Sequence, residues 1–310
     1  MKQKFAIITN DSCALPRNIR EEYGIDGVFL GNIEFPDGHT EKADLDWEKM
    51  TPEQYFGGMA DKKHIYKTSC ANVDEIYACM EEHAKQGKDI LCIVLSSALS
   101  GTYQFSVKAA EKIAAVFPDI KVKVIDSLRY STALGMIVLE ACLRRKEGKN
   151  FDETVAWVEA NRGCFHQMGI MDDMFFLART GRVSKAKAFF GNLAGIEPMA
   201  EFSESGLSEV IGKAKGKKKG LQTVVDYASA LVENPKDHVL FVCHSVRPKE
   251  AEWLKNALEE AIHPKEIILT SVDQTSGANI GPGLAAAFFY GKPLSKDFVD
   301  EKALIAKILG

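Results

Sequence analysis

The chain has 310 residues, 39 of them Lys or Arg against 43 Asp or Glu, for a formal net charge of -4. At roughly 150 residues per domain this length predicts about two domains, and 26% charged with 46% apolar residues is ordinary globular composition. A small disulfide scaffold, an intrinsically disordered chain and a basic nucleic-acid coat are excluded.

Residues 5–9 predict a first strand, and the polar Thr9-Asn10-Asp11 that interrupts this short run denies the N-terminus the pattern of a signal peptide. A cytoplasmic protein is expected. Val73, Ile76, Tyr77, Met80 and Ala84 recur at the spacing of one helical face, and Gly87 ends that helix. The run 90–95 is apolar without alternation, as expected of a central strand covered on both faces. After the polar stretch 96–102 come a helix to about Phe117, a strand over 121–126 and a helix over about 132–146. This alternation predicts a mostly parallel sheet flanked by helices.

Beyond Phe151 the texture changes. A helix to about Arg162, a helical segment over 172–177 and a Phe-rich helix over 185–193 are expected, within a basic, Gly-punctuated region spanning 179–220. Strands follow at 209–213, 239–242 and 267–272, a helix at 249–262, and a turn over 277–283 that feeds a small-residue helix at 284–289. The longest apolar runs fall far short of the roughly 20 residues that cross a bilayer. Lys213 to Lys219 has no interleaved aromatics and reads as a solvated loop, so no nucleic-acid partner is expected. The seven cysteines form no C-x-x-C pair and lie at no metal-ligand spacing, which predicts reduced thiols and no metal. The expected fold is α/β with two domains, 1–160 and 161–290, and a tail over 291–310 that packs back on the body.

The most informative stretch is Ser96-Ser97-Ala98-Leu99-Ser100-Gly101-Thr102, between the end of a buried strand and the start of a helix. Ligands of open α/β sheets bind at the carboxyl ends of strands. Thr68-Ser69 and Asp11-Ser12 have similar settings, so three hydroxyl-bearing turns are expected along one sheet edge. Each taken alone also reads as a helix cap. The nucleophile motif G-x-S-x-G is missing, since Ala98 stands two residues before Ser100. His244, after a strand, is the best base candidate among the histidines, and a plain buried histidine is the alternative. Neither a P-loop nor G-x-G-x-x-G occurs. Arg179 and Arg182 flank Gly181, suited either to carboxylate or phosphate recognition or to an ordinary cationic loop. Gly281-Pro282-Gly283 is a tight turn that can carry Asn279 toward a cleft, or a plain loop.

In order along the chain, Asp11-Ser12, Thr68-Ser69, Ser96-Ser97-x-Leu99-Ser100-Gly101-Thr102, Asp126-Ser127, Gly181-Arg182-Val183-Ser184, Ile196-Glu197-Pro198 and Gly281-Pro282-Gly283 resemble the DegV family. The resemblance runs from about residue 5 to 290. It implies a carrier that encloses one long-chain fatty acid between its domains and needs no cofactor. The implied head-group residues are Thr68, Ser69, Ser97 and Ser100, with Gly101, Thr102, Asn279 and Ile280 beside them. The best understood relatives are subunits of bacterial fatty acid kinase, so the implied partner is an ATP-dependent kinase of the dihydroxyacetone-kinase type. It would phosphorylate the carboxylate that this chain presents, with Arg182 facing it, and transient contact with a membrane surface is expected. The chain departs from the family at Asn279, where His is common, and at Cys70-Ala71, where Gln-Pro follows Thr-Ser.

Elementary energetics fit a carrier. About 14 methylenes at about 0.8 kcal/mol each contribute roughly 11 kcal/mol gross, while a buried carboxylate needs several donors at its end. Phe165, Met168, Ile170, Phe189 and Phe190 are candidates for an apolar channel or for ordinary core. The alternative activity is a serine-dependent hydrolase acting on a lipid or acyl ester.

Overall fold

The computed structural model describes residues 5–172, 174–184 and 195–310. The helix expected over 185–193, with Phe189 and Phe190, lies outside the described residues. In chain order the elements are β1 (Ala6–Asn10), α1 (Arg17–Tyr23), β2 (Gly27–Phe29), β3 (Asn32–Glu34), β4 (Thr40–Lys42), α2 (Pro52–Gly57), β5 (Lys67–Ser69), α3 (Val73–Ala84), β6 (Ile90–Val94), α4 (Thr102–Val116), β7 (Val122–Asp126), α5 (Ser131–Lys146) and α6 (Phe151–Asn161). They continue with β8 (Phe165–Met171), α7 (Phe175–Thr180), β9 (Val183–Ser184), β10 (Ile196–Phe202), β11 (Ser208–Lys215), α8 (Lys217–Leu231), β12 (Val239–His244), α9 (Pro248–Ile262), β13 (Glu266–Ser271), α10 (Gln274–Ile280), β14 (Leu284–Tyr290) and α11 (Val299–Leu309).

The chain forms two compact units. Unit 1 comprises Met1–Asp46, Tyr66–Arg162 and Asp273–Thr275; unit 2 comprises Trp47–Ile65, Gly163–Val272 and Ser276–Gly310. A single cut near residue 160 therefore does not separate them. Packing explains why: Tyr55 and Phe56 of α2 press on Gly277, where a Cβ would stand 2.8 Å from the Phe56 ring. Thr275 instead hydrogen-bonds Asp11 of unit 1.

Unit 1 is built on a parallel sheet in the order β2-β1-β6-β7. Alternate residues Ile8, Ile90, Cys92 and Val94 join Ile76 and Met80 of α3 and Ala109 and Ile113 of α4 in one core. On the other face α5 packs against β1 and β6, and it is buried all round from Ser131 to Cys142, as a helix without a polar face must be. A small antiparallel sheet, β4-β3-β5, completes the unit's strands.

Unit 2 contains the sheet β13-β12-β14-β8 and the three-stranded β10-β11-β9. The run 284–289, expected as a helix, is a strand: β14 pairs with β12 on one side and β8 on the other. A short apolar run carries no period to tell strand from helix, and the small side chains here serve close strand packing, with Gly169 opposite Ala286. The helix expected over 172–177 forms three residues later, as α7. Lys213 to Lys219 is also not a loop. Lys213 and Lys215 alternate with buried Ala214 in β11, Gly216 turns at φ 79°, and Lys217 starts α8. Lys219 Nζ donates to the carbonyl of Ile308 at 2.8 Å, near the end of α11. Met168 and Ile170 belong to unit 2's core, together with Val224 and Tyr227 of α8 and Ile305 of α11, and Phe165 packs edge-on to Tyr290 at 5.4 Å.

Among the described residues no helix is long and apolar enough to cross a membrane, and all seven cysteines are free thiols. The β8–β14 contact generates a stability prediction. A Cβ on Gly169 would lie 2.5 Å from Ala286 Cβ and 2.7 Å from the Ala285 carbonyl oxygen. Gly169→Ala is therefore expected to cost about 1–3 kcal/mol through overpacking, measured by urea unfolding; an unchanged midpoint would contradict this packing.

Candidate functional site

From β1 the chain passes to β2 on one side and returns to β6 on the other, so strand order reverses between β1 and β6. At such a reversal the connecting loops diverge and leave room for a ligand at the carboxyl ends of the strands. Here that place is occupied by Asn10-Asp11 after β1 and by the hydroxyl loop 96–102 after β6.

The backbone of this loop is tied inward. The Leu95 amide donates to Asn10 Oδ1 at 3.1 Å, Ser96 N to the Arg129 carbonyl at 2.8 Å and Ser97 N to Asp126 Oδ1 at 3.2 Å. Ala98 N and Leu99 N both bond back to Ser96, to its Oγ at 3.3 Å and its carbonyl at 3.0 Å. With the amides from Leu95 to Leu99 engaged, the chemistry this part of the loop can offer a ligand is that of its side-chain hydroxyls. Ser96 is buried, Ser97 and Ser100 are half-buried, Gly101 is exposed and Thr102 is buried. Ser100 Oγ stands 2.9 Å from Thr102 Oγ1 and accepts Thr102 N at 3.3 Å. Its partners among the described residues are thus a hydroxyl and an amide, with no imidazole.

Helix capping accounts for part of these hydroxyls only. Ser100 Oγ takes the first amide of α4, whose N-cap position is Gly101, whereas α3 is capped by Asn72, whose Oδ1 accepts the amides of Asp74 and Glu75 while Glu75 closes the capping box. Thr68-Ser69 does not lie on the edge of the parallel sheet, as the sequence led us to expect. It forms β5, antiparallel to β3, with Asn32 opposite Ser69 and Ile33 opposite Thr68. Lys-Thr-Ser has no apolar run to bury between two layers of helices. Thr68 is half-buried and Ser69 exposed, and Asn32 Nδ2 donates to Ser69 Oγ at 3.3 Å.

Asp11 is turned inward rather than presented at the edge. Its Oδ2 accepts the Gly31 amide at 3.0 Å and the Thr275 hydroxyl at 2.7 Å. Burial pushes its carboxyl above the ordinary value of 3.8, against the opposing effect of these bonds. Asn10, Asp126 and Arg129 emerge as supports of the loop that the sequence reading did not assign. Asn10 looked only like a strand terminator, although Asn followed by Asp at a strand end is a recognised signal for side-chain bonding to nearby backbone.

In unit 2, Asn279 is half-buried and Ile280 buried near the end of α10. The following turn needs its glycines: Gly281 and Gly283 adopt φ of 78° and 105°, and Gly281 lies against the ring of Phe176. Arg182 follows Gly181, at φ 71°, and its guanidinium bonds the carbonyl of Thr180. Arg179 lies over the rings of Phe175 and Phe176, 5.6 and 5.3 Å from their centroids. His244 is buried, its Nδ1 accepts the Arg247 amide at 3.4 Å, and burial pushes its pKa down, which favours the neutral ring.

Fold and site together define a two-unit α/β protein with a hydroxyl-lined strand edge at the reversal of a parallel sheet. A family model described as "Uncharacterised protein, DegV family" matches residues 4–292. The chain belongs to the DegV family. A DegV domain-containing protein of Clostridium perfringens is 32% identical over 289 residues, covering 93% of this chain and 98% of the relative. Among solved structures, a fatty-acid-binding DegV family protein from Thermus thermophilus aligns with a TM-score of 0.83 at 23% identity, covering 94% of this chain and 100% of that one. Another, the fatty-acid-binding DegV family protein of Streptococcus agalactiae, aligns with a TM-score of 0.78 at 25% identity, covering 94% and 99%.

The buried Asp11 generates a pH prediction. A carboxyl whose folded pKa is raised keeps its proton to higher pH in the folded than in the unfolded chain, so its stability contribution is present at low pH and is lost as pH rises through the folded value. Relative to Asp11→Asn, the wild type is expected to lose stability from about pH 4 upward and then level off. Urea midpoints of the two proteins against pH check this; a constant difference would remove the raised pKa.

Proposed function

We propose that this protein is a cytoplasmic carrier that binds a long-chain fatty acid and presents its carboxylate to an ATP-dependent fatty acid kinase of the dihydroxyacetone-kinase type, without catalysing the transfer itself. The observation that carries the reading is the hydroxyl loop 96–102 at the strand-order reversal, its amides from Leu95 to Leu99 bonded inward and its hydroxyls left to recognise an acceptor-only head group. Fatty-acid binding by structural neighbours such as the Thermus and Streptococcus proteins supports the same ligand class.

In this reading Thr102 donates its hydroxyl proton to Ser100 Oγ, which also accepts the Thr102 amide. The proton of Ser100 is then turned outward, to the carboxylate. Thr68, Ser69 and Ser97 add donors, and Gly101 leaves room beside Ser100. Hydroxyl donors to a charged acceptor are worth roughly 1.5–3 kcal/mol each. Arg182 faces the kinase.

The test is native mass spectrometry of protein purified without added lipid, followed by delipidation and reloading with labelled oleate. A retained adduct of fatty acid mass and uptake of label are expected, with Ser100→Ala weakening uptake by about tenfold. Recovery without lipid, together with failure to take up label, would refute the carrier. Acyl phosphate formation on addition of the kinase and ATP, reduced by Arg182→Ala at unchanged lipid affinity, is the expected sign of presentation.

A further inference from the structure

Two side chains at the end of β1 are joined to both hydroxyl segments of unit 1. Asn10 Oδ1 accepts the amide of Leu95 at 3.1 Å, which is the lead into the loop 96–102. Asn10 Nδ2 donates to Asp11 Oδ1 at 3.3 Å, and Asp11 Oδ2 accepts the amide of Gly31 at 3.0 Å. Gly31 carries the connection onward because its bare backbone lies against Ser69. A Cβ there would stand 2.5 Å from the Ser69 carbonyl oxygen and 3.2 Å from Asp11 Oδ2. Asn32, the next residue, is opposite Ser69 in the β3–β5 ladder and bonds its hydroxyl. Thr275 Oγ1 holds Asp11 Oδ2 from a third direction at 2.7 Å.

Both side chains are buried, Asn10 at 2% and Asp11 at 4% exposure. Both Asp11 oxygens are engaged by donors of unit 1, so its carboxyl supports the edge. The two hydroxyl segments sit on different sheets, β5 and β6, which share no ladder. Without a rigid link their separation would depend on loop conformations, whereas a head-group site needs its donors held within about 0.5 Å.

We infer that Asn10 and Asp11 form one positioning bracket, which fixes the hydroxyls of 68–69 relative to those of 97–102 and thereby sets the preference for a carboxylate over an uncharged head group. The inference rests on the fatty-acid reading above. Asn10 and Asp11 are positioning residues: they act on the ligand through Leu95, Gly31 and Ser69.

The experiment compares stearate with stearyl alcohol, which share a chain and differ at the head group, by titration into delipidated full-length protein. Asn10→Ala and Asp11→Ala are each expected to reduce the acid-over-alcohol preference about tenfold while leaving alcohol affinity nearly unchanged. Asp11→Asn keeps a carbonyl oxygen for Gly31 and Thr275 but turns an amide nitrogen toward Asn10 Nδ2, which breaks that one link, and is expected to recover only part of the preference. A purely structural role would weaken both ligands alike, and that result, or full retention of the preference in folded variants, overturns the bracket while the fatty-acid reading stands. A wild type that takes up neither stearate nor labelled oleate overturns that reading and the bracket's ligand role with it. Should the alanine variants fail to fold, amide exchange in the wild type decides. Leu95 and Gly31 amides as slow as those of β1 support the bracket, and exchange at the rate of exposed loops overturns it.

Discussion

Everything at the carboxyl edge of unit 1 depends on the bond between the Leu95 amide and the side chain of Asn10, because it closes the gap between two strands that part company there. A parallel sheet exhausts its ladder at the last paired residue, and the amides beyond must find acceptors or water. Here Asn10, Asp126 and the Arg129 carbonyl supply those acceptors from neighbouring turns. The loop is thereby held from beneath, and within it Ser96 and Ser100 each accept one further amide, those of Ala98 and Thr102. Chemistry at the surface of this edge follows from satisfied backbone inside it.

Much of unit 1 was legible in the sequence because its signals are strong and local. The unbroken run ending at Val94 is covered on both faces, as such a run must be, and Val73, Ile76 and Met80 fall on one side of α3 as their spacing requires. The hydroxyl loop was recognisable because four hydroxyls in seven residues are more than a cap consumes. The place of Thr68-Ser69 was not legible. A three-residue strand has no period, and its partner Asn32 lies far off in sequence. Asn10 escaped notice for a related reason, since the length of chain between it and Leu95 hides a single side-chain bond.

Unit 2 was harder to read because its strands and helices carry polar residues where an apolar pattern is expected. β8 begins Phe-His-Gln and β10 contains two glutamates. His166, Gln167 and Glu201 are nevertheless buried, and Glu201 gathers the Gln167 amide at 2.9 Å, the Phe202 amide at 2.8 Å and the Tyr227 hydroxyl at 3.0 Å, with His166 Nδ1 2.9 Å away. Polar groups that satisfy one another across strands cost little to bury, yet in one dimension they look like interruptions. The lysines before Leu221 likewise mask an ordinary amphipathic helix, whose buried Leu221, Val224, Val225 and Ala228 follow its turns.

The pairing of Ser100 with Thr102 has a consequence for how long a bound molecule can stay the same molecule. Alcohols grip an anion without contributing a countercharge. Under the carrier reading, a guest could gain or lose negative charge in place and leave no stranded ion behind in the wall. Its hold would also be nearly indifferent to the salt of the surrounding medium, which weakens attraction between charges far more than it weakens a short hydrogen bond.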